Sequence, residues 1–233
     1  MVVGLRVNPR LPGGAGTWSN VRVTSREKRQ PHRIAVLASG VGSNMVALAD
    51  AAAAGKIPGS IELVLSDVPG APVLQRASER GIEARHLDPG RSRHRLDGEA
   101  EAAYIRELRG RGITLVCLAG FMRILHPAFL EAFSNSILNV HPSLLPAFPG
   151  LDAVGQALAF GARVTGATVH FVWPAVDAGP VVLQEAVPVR EGDTHETLAA
   201  RVHDVEHRIY PRAAALFCEG RLSVEGRHVR ILS

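Results

Sequence analysis

From position 33 onward, short apolar runs alternate with amphipathic stretches. Residues 33–38, 61–65, 83–87 and 113–119 are runs of strand length bounded by Gly, Pro or polar clusters, and they read as strands. Between them, 44–54 is Ala-rich and stops near Gly55, and 73–80 is closed by Gly81. The stretch 96–111 carries its apolar positions at helical spacing. Residues 127–133 form a short helix opened by Pro127. A strand at 137–140, a helix at 153–160, strands at 167–172 and 181–189, and a long helix at 194–218 complete the series. Strand–helix alternation of this kind predicts an α/β fold, a Rossmann-like, doubly wound, mostly parallel sheet. No internal repeat or second linker interrupts it.

Residues 1–32 differ: Gly, Pro, Ser and Arg dominate, with no sustained period. The expected organisation is a disordered basic tail at 1–32 followed by one domain at 33–233. The tail reads as dispensable or as a start codon placed too early, with an Arg-rich transit peptide as the other reading. It also accounts for the net charge of +4. Residues 1–33 carry seven Lys/Arg against Glu27 alone, or +6, which leaves −2 for the rest. The body therefore has no net attraction for nucleic acid. No apolar run is long enough for a membrane span. The two cysteines, Cys117 and Cys218, sit in apolar stretches without metal-type spacing and read as buried free thiols. The ten histidines show no metal spacing either.

The chemistry centres on 137–150. Asn139 and His141 are two apart on a strand and so share a face. Pro142, Pro146 and Pro149 end that strand and stiffen the following loop. Ligands of parallel α/β sheets bind at the carboxyl ends of strands. There an amide donor and an imidazole suit attack on a carbonyl. The first strand runs into Ser39-Gly-Val-Gly-Ser-Asn44 and then a helix, which reads as a phosphate cradle or as a tight turn. It is neither a dinucleotide fingerprint nor a Walker loop. Asp177, before Ala178-Gly179-Pro180, is either a turn residue or a carboxylate that orients His141 and favours its charged form. His170, on an apolar strand, reads as a structural histidine. Met122, Ile124 and Leu125 wall a pocket or pack in the core. His203, Asp204, Glu206 and His207 read as a solvated helix face.

Taken together, the segments SGVGSN (39–44), AGFMRIL (119–125), NVHPSLLPAFPG (139–150), DAGP (177–180) and HDVEHRIYP (203–211) resemble the phosphoribosylglycinamide formyltransferases, folate-dependent enzymes of purine synthesis. The resemblance implies formyl transfer from 10-formyltetrahydrofolate, a co-substrate, to the amine of 5-phosphoribosylglycinamide through a tetrahedral intermediate. No bound cofactor or metal is implied. It assigns oxyanion stabilisation to Asn139, proton donation to His141, and tuning of that histidine to Asp177. Gly42, Ser43 and Asn44 correspond to the substrate phosphate loop. His203, Asp204, Val205 and Glu206 correspond to the segment at the ribose and glycinamide end. Met122, Arg123, Ile124 and Leu125, with Asn139 and Trp173, Pro174, Ala175, Val176 and Asp177, correspond to the folate-binding loops. Arg93, with Arg95 second, takes the place of a folate-facing Arg. Ala178 departs from a frequent Gly. The expected partners are small molecules in the cytoplasm, without nucleic acid or membrane, leaving a weak homodimer open. The alternatives are another folate-dependent formyltransferase or a formyltetrahydrofolate deformylase on the same fold, or a non-catalytic phosphometabolite-binding protein. A methionyl-tRNA formyltransferase is expected to carry a further C-terminal domain, and the deformylase a regulatory domain before the first strand.

Overall fold

In a computed structural model of the chain, residues 21, 22, 31–96 and 98–233 are described. Most of the expected disordered tail lies outside them. Within it, Val21–Arg22 (β1) pairs antiparallel with a strand near the C-terminus.

The central sheet has seven strands: His32–Leu37 (β2), Gly59–Ser66 (β3), Glu83–His86 (β4), Leu115–Leu118 (β6), Ile137–His141 (β8), Val164–Phe171 (β9) and Val181–Pro188 (β10). Their order is β10-β9-β8-β6-β2-β3-β4. Strands β4, β3, β2, β6 and β8 run parallel; β9 is antiparallel to β8, and β10 to β9. The sheet is thus mostly parallel, as expected, and it ends in an antiparallel edge. Arg95–Leu96 (β5) pairs with Ile124–Leu125 (β7) in a separate two-stranded ladder. Leu222–Glu225 (β11) and His228–Ile231 (β12) form a hairpin joined to β1.

Alternate side chains of the parallel strands enter two apolar layers. Ile34, Val36, Cys117, Leu138 and Val140 face one layer. It is completed by Ser43–Ala53 (α1), Pro72–Ser78 (α2), Ala153–Phe160 (α5) and the 24-residue His195–Cys218 (α6). Ala35, Leu37, Val116, Leu118 and Ile137 face the other, against Gly98–Gly110 (α3) and Pro127–Ala132 (α4). Both cysteines are buried free thiols, and burial pushes the Cys117 thiol up to about 12.

The elements follow local chemistry. Thr194 caps α6 by accepting from the Thr197 N–H, and the Thr197 hydroxyl in turn accepts from the Thr194 N–H. Pro72 and Pro127 open their helices from the first turn, where a missing N–H costs nothing. Boundaries move by one to three residues from expectation, and one residue changes element. Leu96 does not begin α3; it pairs with Leu125 in β5, and the helix starts at Gly98. Burial of Leu96 against the α3 layer gives it the same apolar signature as a helix residue.

The β9–β10 ladder carries the loop that closes the site, and it is tightly built. A β-carbon at Gly166 would sit 2.1 Å from the Glu185 carbonyl oxygen and 2.7 Å from Leu144. Gly166→Ala is therefore expected to destabilise the fold by about 1–3 kcal/mol, read as a lowered midpoint in urea denaturation.

Candidate active site

Four segments meet at the carboxyl ends of β2, β6 and β8, around a cleft of about 470 Å³. The first is the turn after β2. Gly42 has φ +85°, and a β-carbon there would lie 2.5 Å from Val73, so this position requires glycine. Gly42 precedes α1 without a side-chain cap, leaving first-turn amides open at the cleft. The Ser39 hydroxyl donates to Asp67 at 2.6 Å and accepts from the Met122 N–H at 2.8 Å. This ties the first segment to the second, 119–125. There Arg123 lines the cleft, but its Nε is paired to buried Asp67 at 2.6 Å and its Nη1 donates to the Ser92 carbonyl. Its charge is therefore engaged in holding the loops of β3, β5 and β7 together.

The third segment is β8 with the loop after it. Asn139 stands opposite His170 across the β8–β9 ladder, so the two side chains share a face. Asn139 Nδ2 lies 3.2 Å from His170 Nε2, while His170 Nδ1 lies 2.9 Å from the Phe171 carbonyl. Nδ1 donates to the Phe171 carbonyl, which leaves Nε2 between the Asn139 amide and Asp177 Oδ1. His170 thus orients Asn139 and belongs to the site rather than to the core alone. His141 points Nδ1 at Asp177 Oδ2 (3.4 Å) and Nε2 at the Phe148 carbonyl (2.8 Å). Asp177 Oδ1 lies 3.7 Å from His170 Nε2, and Oδ2 accepts from the Gly150 N–H at 2.8 Å. Burial works to raise the Asp177 carboxyl. The His170 ring, the Gly150 N–H and the charge of His141 outweigh it, and the group sits below the ordinary carboxylate range.

The fourth segment is α6. His203 and Glu206 line the cleft, one turn apart. Glu206 is 3 % exposed, and it accepts from Asn44 Nδ2 at 2.8 Å. Burial raises its carboxyl above the ordinary value, against the opposing effects of Asn44 and His203.

Most of the residues singled out in the sequence line this one cleft: Gly42, Ser43, Asn44, 122–125, Asn139, His141, 173–177, His203 and Glu206. Three do not. Asp204 points to solvent and Val205 into the core, because helix geometry turns them away from the face of His203 and Glu206. Arg93 is exposed and lies outside the cleft lining. Asp152 and Leu151, not singled out, do line it. Among the described residues, no cluster of three or more His, Cys, Asp or Glu could hold a metal, and no helix is long and apolar enough to cross a membrane.

A sequence profile described as formyl transferase matches residues 32–214, most of the chain. The chain belongs to the formyl transferase family. This formyl transferase is 44% identical over 193 residues to the phosphoribosylglycinamide formyltransferase of Escherichia coli, covering 82% of this chain and 89% of that one. It is also 44% identical over 200 residues to the human trifunctional purine biosynthetic protein adenosine-3, covering 86% of this chain but 20% of that protein. The chain thus spans about a fifth of that multidomain relative. The crystal structure of glycinamide ribonucleotide transformylase 1 from Symbiobacterium toebii superposes with a TM-score of 0.84 at 50% identity, covering 90% of this chain and 99% of that one. The resemblance read from the five motifs is borne out.

The raised Glu206 carboxyl carries a signed prediction. A folded value above the unfolded one contributes stability at low pH that is lost as pH rises through the folded value. Glu206→Gln is therefore expected to be more stable than the parent at neutral and alkaline pH. The difference should vanish on acidification, as read by calorimetric melting across pH.

Proposed function

We propose that this formyl transferase moves the formyl group of 10-formyltetrahydrofolate to the amine of 5-phosphoribosylglycinamide, a step of purine synthesis. One observation carries the reading. The amide at 139, the imidazole at 141 and the carboxylate at 177 share a cleft with the uncapped helix start at 42–44 and with buried Glu206. A phosphate suits the helix start, where open amides and the helix dipole favour an anion. Glu206 is suited to hydroxyls or an amine of the same molecule. The opposite end is apolar, with Met122, Ile124 and Val176 exposed on its rim, which suits a flat ring system. The names of the relatives given above support phosphoribosylglycinamide as the acceptor and a formyl group as what is moved.

The amine nitrogen attacks the formyl carbon, a C–N bond forms, and negative charge develops on the formyl oxygen. Asn139 and protonated His141 donate to that oxygen. Asp177, 3.4 Å from His141 Nδ1, orients the ring. Collapse breaks the bond to the folate nitrogen, and the proton lost by the amine goes to that leaving nitrogen through His141 or water. Holding both substrates together in the cleft supplies part of the acceleration by proximity. The folate acts as a co-substrate, and the reading needs no resident cofactor, nucleic acid or membrane. We assign the reaction to the cytoplasm.

The test is an absorbance assay for tetrahydrofolate release with and without phosphoribosylglycinamide. Release is expected to require that substrate. Removing either oxyanion donor, in Asn139→Ala or His141→Ala, should lower kcat by about 10²–10³. Asp177→Asn should lower it within the ~10²–10⁴ range of general acid–base catalysis. Near-parental turnover in a variant removes that residue from the mechanism, and release without phosphoribosylglycinamide points to a deformylase.

A further inference from the structure

The loop 142–152 does more than close one side of the cleft. Its first half is fastened to β9 and β10. Thr168, fully buried, donates to the Ser143 carbonyl at 2.6 Å and accepts from the Leu145 N–H at 3.1 Å. Gln184 donates to the Leu145 carbonyl at 2.8 Å. Its second half is fastened to α5, where Gln156 donates to the carbonyls of Pro149 (3.0 Å) and Leu151 (2.8 Å). Between these anchors the backbone grips both members of the His141–Asp177 pair. The Phe148 carbonyl accepts a hydrogen bond from His141 Nε2–H, and the Gly150 N–H donates to Asp177 Oδ2. Phe148 adopts φ +51°, a left-handed conformation unfavourable for a residue with a β-carbon. Its ring meets Phe160 edge-on, centroids 5.8 Å apart, although Phe160 is 79 % exposed.

We infer that the Phe148–Gly150 backbone is a positioning clamp: it occupies Nε2 of His141 and so selects Nδ1, beside Asp177, as the nitrogen that exchanges the proton with substrate. A neutral imidazole has one N–H and one lone pair. With Nε2–H committed to a carbonyl, the lone pair that gains and loses a proton is Nδ1. The titratable groups facing the ring are Asp177, on the loop after β9, and through it His170 on β9. The left-handed turn at Phe148 aims the carbonyl at the ring, and the Phe148–Phe160 contact holds that turn. The use made of the proton rests on the formyl-transfer reading; the choice of nitrogen does not.

The test pairs ¹⁵N NMR of the histidine ring nitrogens with kcat–pH profiles, in the parent, Phe148→Pro and Phe148→Gly. The His141 signals are assigned by difference from His141→Gln. In the parent, Nε2 is expected to keep the shift of a protonated nitrogen throughout the titration, while Nδ1 carries the change. Proline fixes φ near −65° and turns the carbonyl away. In Phe148→Pro the two nitrogens should share the proton in the neutral ring. Its kcat should fall by ~10² with an altered pH profile, and KM for the phosphate-bearing substrate should stay near the parental value. Glycine keeps the left-handed turn, so Phe148→Gly should keep the Nε2 signature and the shape of the profile, with kcat lowered several-fold by loss of the ring contact. An Nε2 that titrates in the parent, or identical ring signatures in the two variants, overturns the clamp. If Phe148→Pro does not fold, the parent titration and Phe148→Gly decide. A parent with the Nε2 signature but no formyl transfer supports the clamp and overturns the reaction assignment instead.

Discussion

A carboxylate taken out of water must be met by donors or it loses its charge. Asp177 is that carboxylate here, and the architecture around the cleft can be read as the set of groups that meet it. Strand β8 delivers His141, the antiparallel β9 delivers His170, and the proline-stiffened loop delivers the Gly150 N–H. These donors come from positions far apart in sequence, and the sheet order makes them neighbours. Reversal of β9 relative to β8 sets Asn139 directly opposite His170, which a sixth parallel strand in the same register would not do. The antiparallel edge is therefore part of the chemistry rather than an appendage to the sheet.

The cleft holds two acids in opposite electrostatic situations. Asp177 has donors enough to hold its carboxyl low despite burial. Glu206 accepts from Asn44, and burial prevails. The first is prepared to work on a neighbouring imidazole. The second is under-partnered until something enters the cleft, and it sits next to the helix start that would hold an anion. A ligand bearing hydrogen-bond donors near a phosphate would satisfy both features at once.

Much of this was legible in the chain itself. Strands β2, β3, β6 and β8 are buried on both faces, so they show as nearly continuous apolar runs. The Thr194 cap and the prolines at 72 and 127 mark helix starts plainly. The motif residues converge because each stands at the end of a strand or on one face of α6. What escaped has physical causes too. Ladders of two residues, β5 and β7, are too short for any period to register. The β11–β12 hairpin turns on Gly226-Arg227, a two-residue link that was there to be read. His170 looked like a core histidine because its strand is apolar; its role depends on the register with β8, which no local pattern encodes. The family resemblance covers 203–206 as one segment, whereas a helix groups residues by turns and sets Asp204 and Val205 off the face of His203 and Glu206.

Tyr210 lies one turn beyond Glu206 on α6. Its hydroxyl is 2.9 Å from the carbonyls of both Leu118 and Leu138, the residues that lead into the 119–125 loop and into Asn139. The helix that carries Glu206 is thereby bolted to the two strands that lead into the 119–125 loop and Asn139. A substitution that tilts the long helix would therefore displace Glu206, the 119–125 loop and Asn139 together.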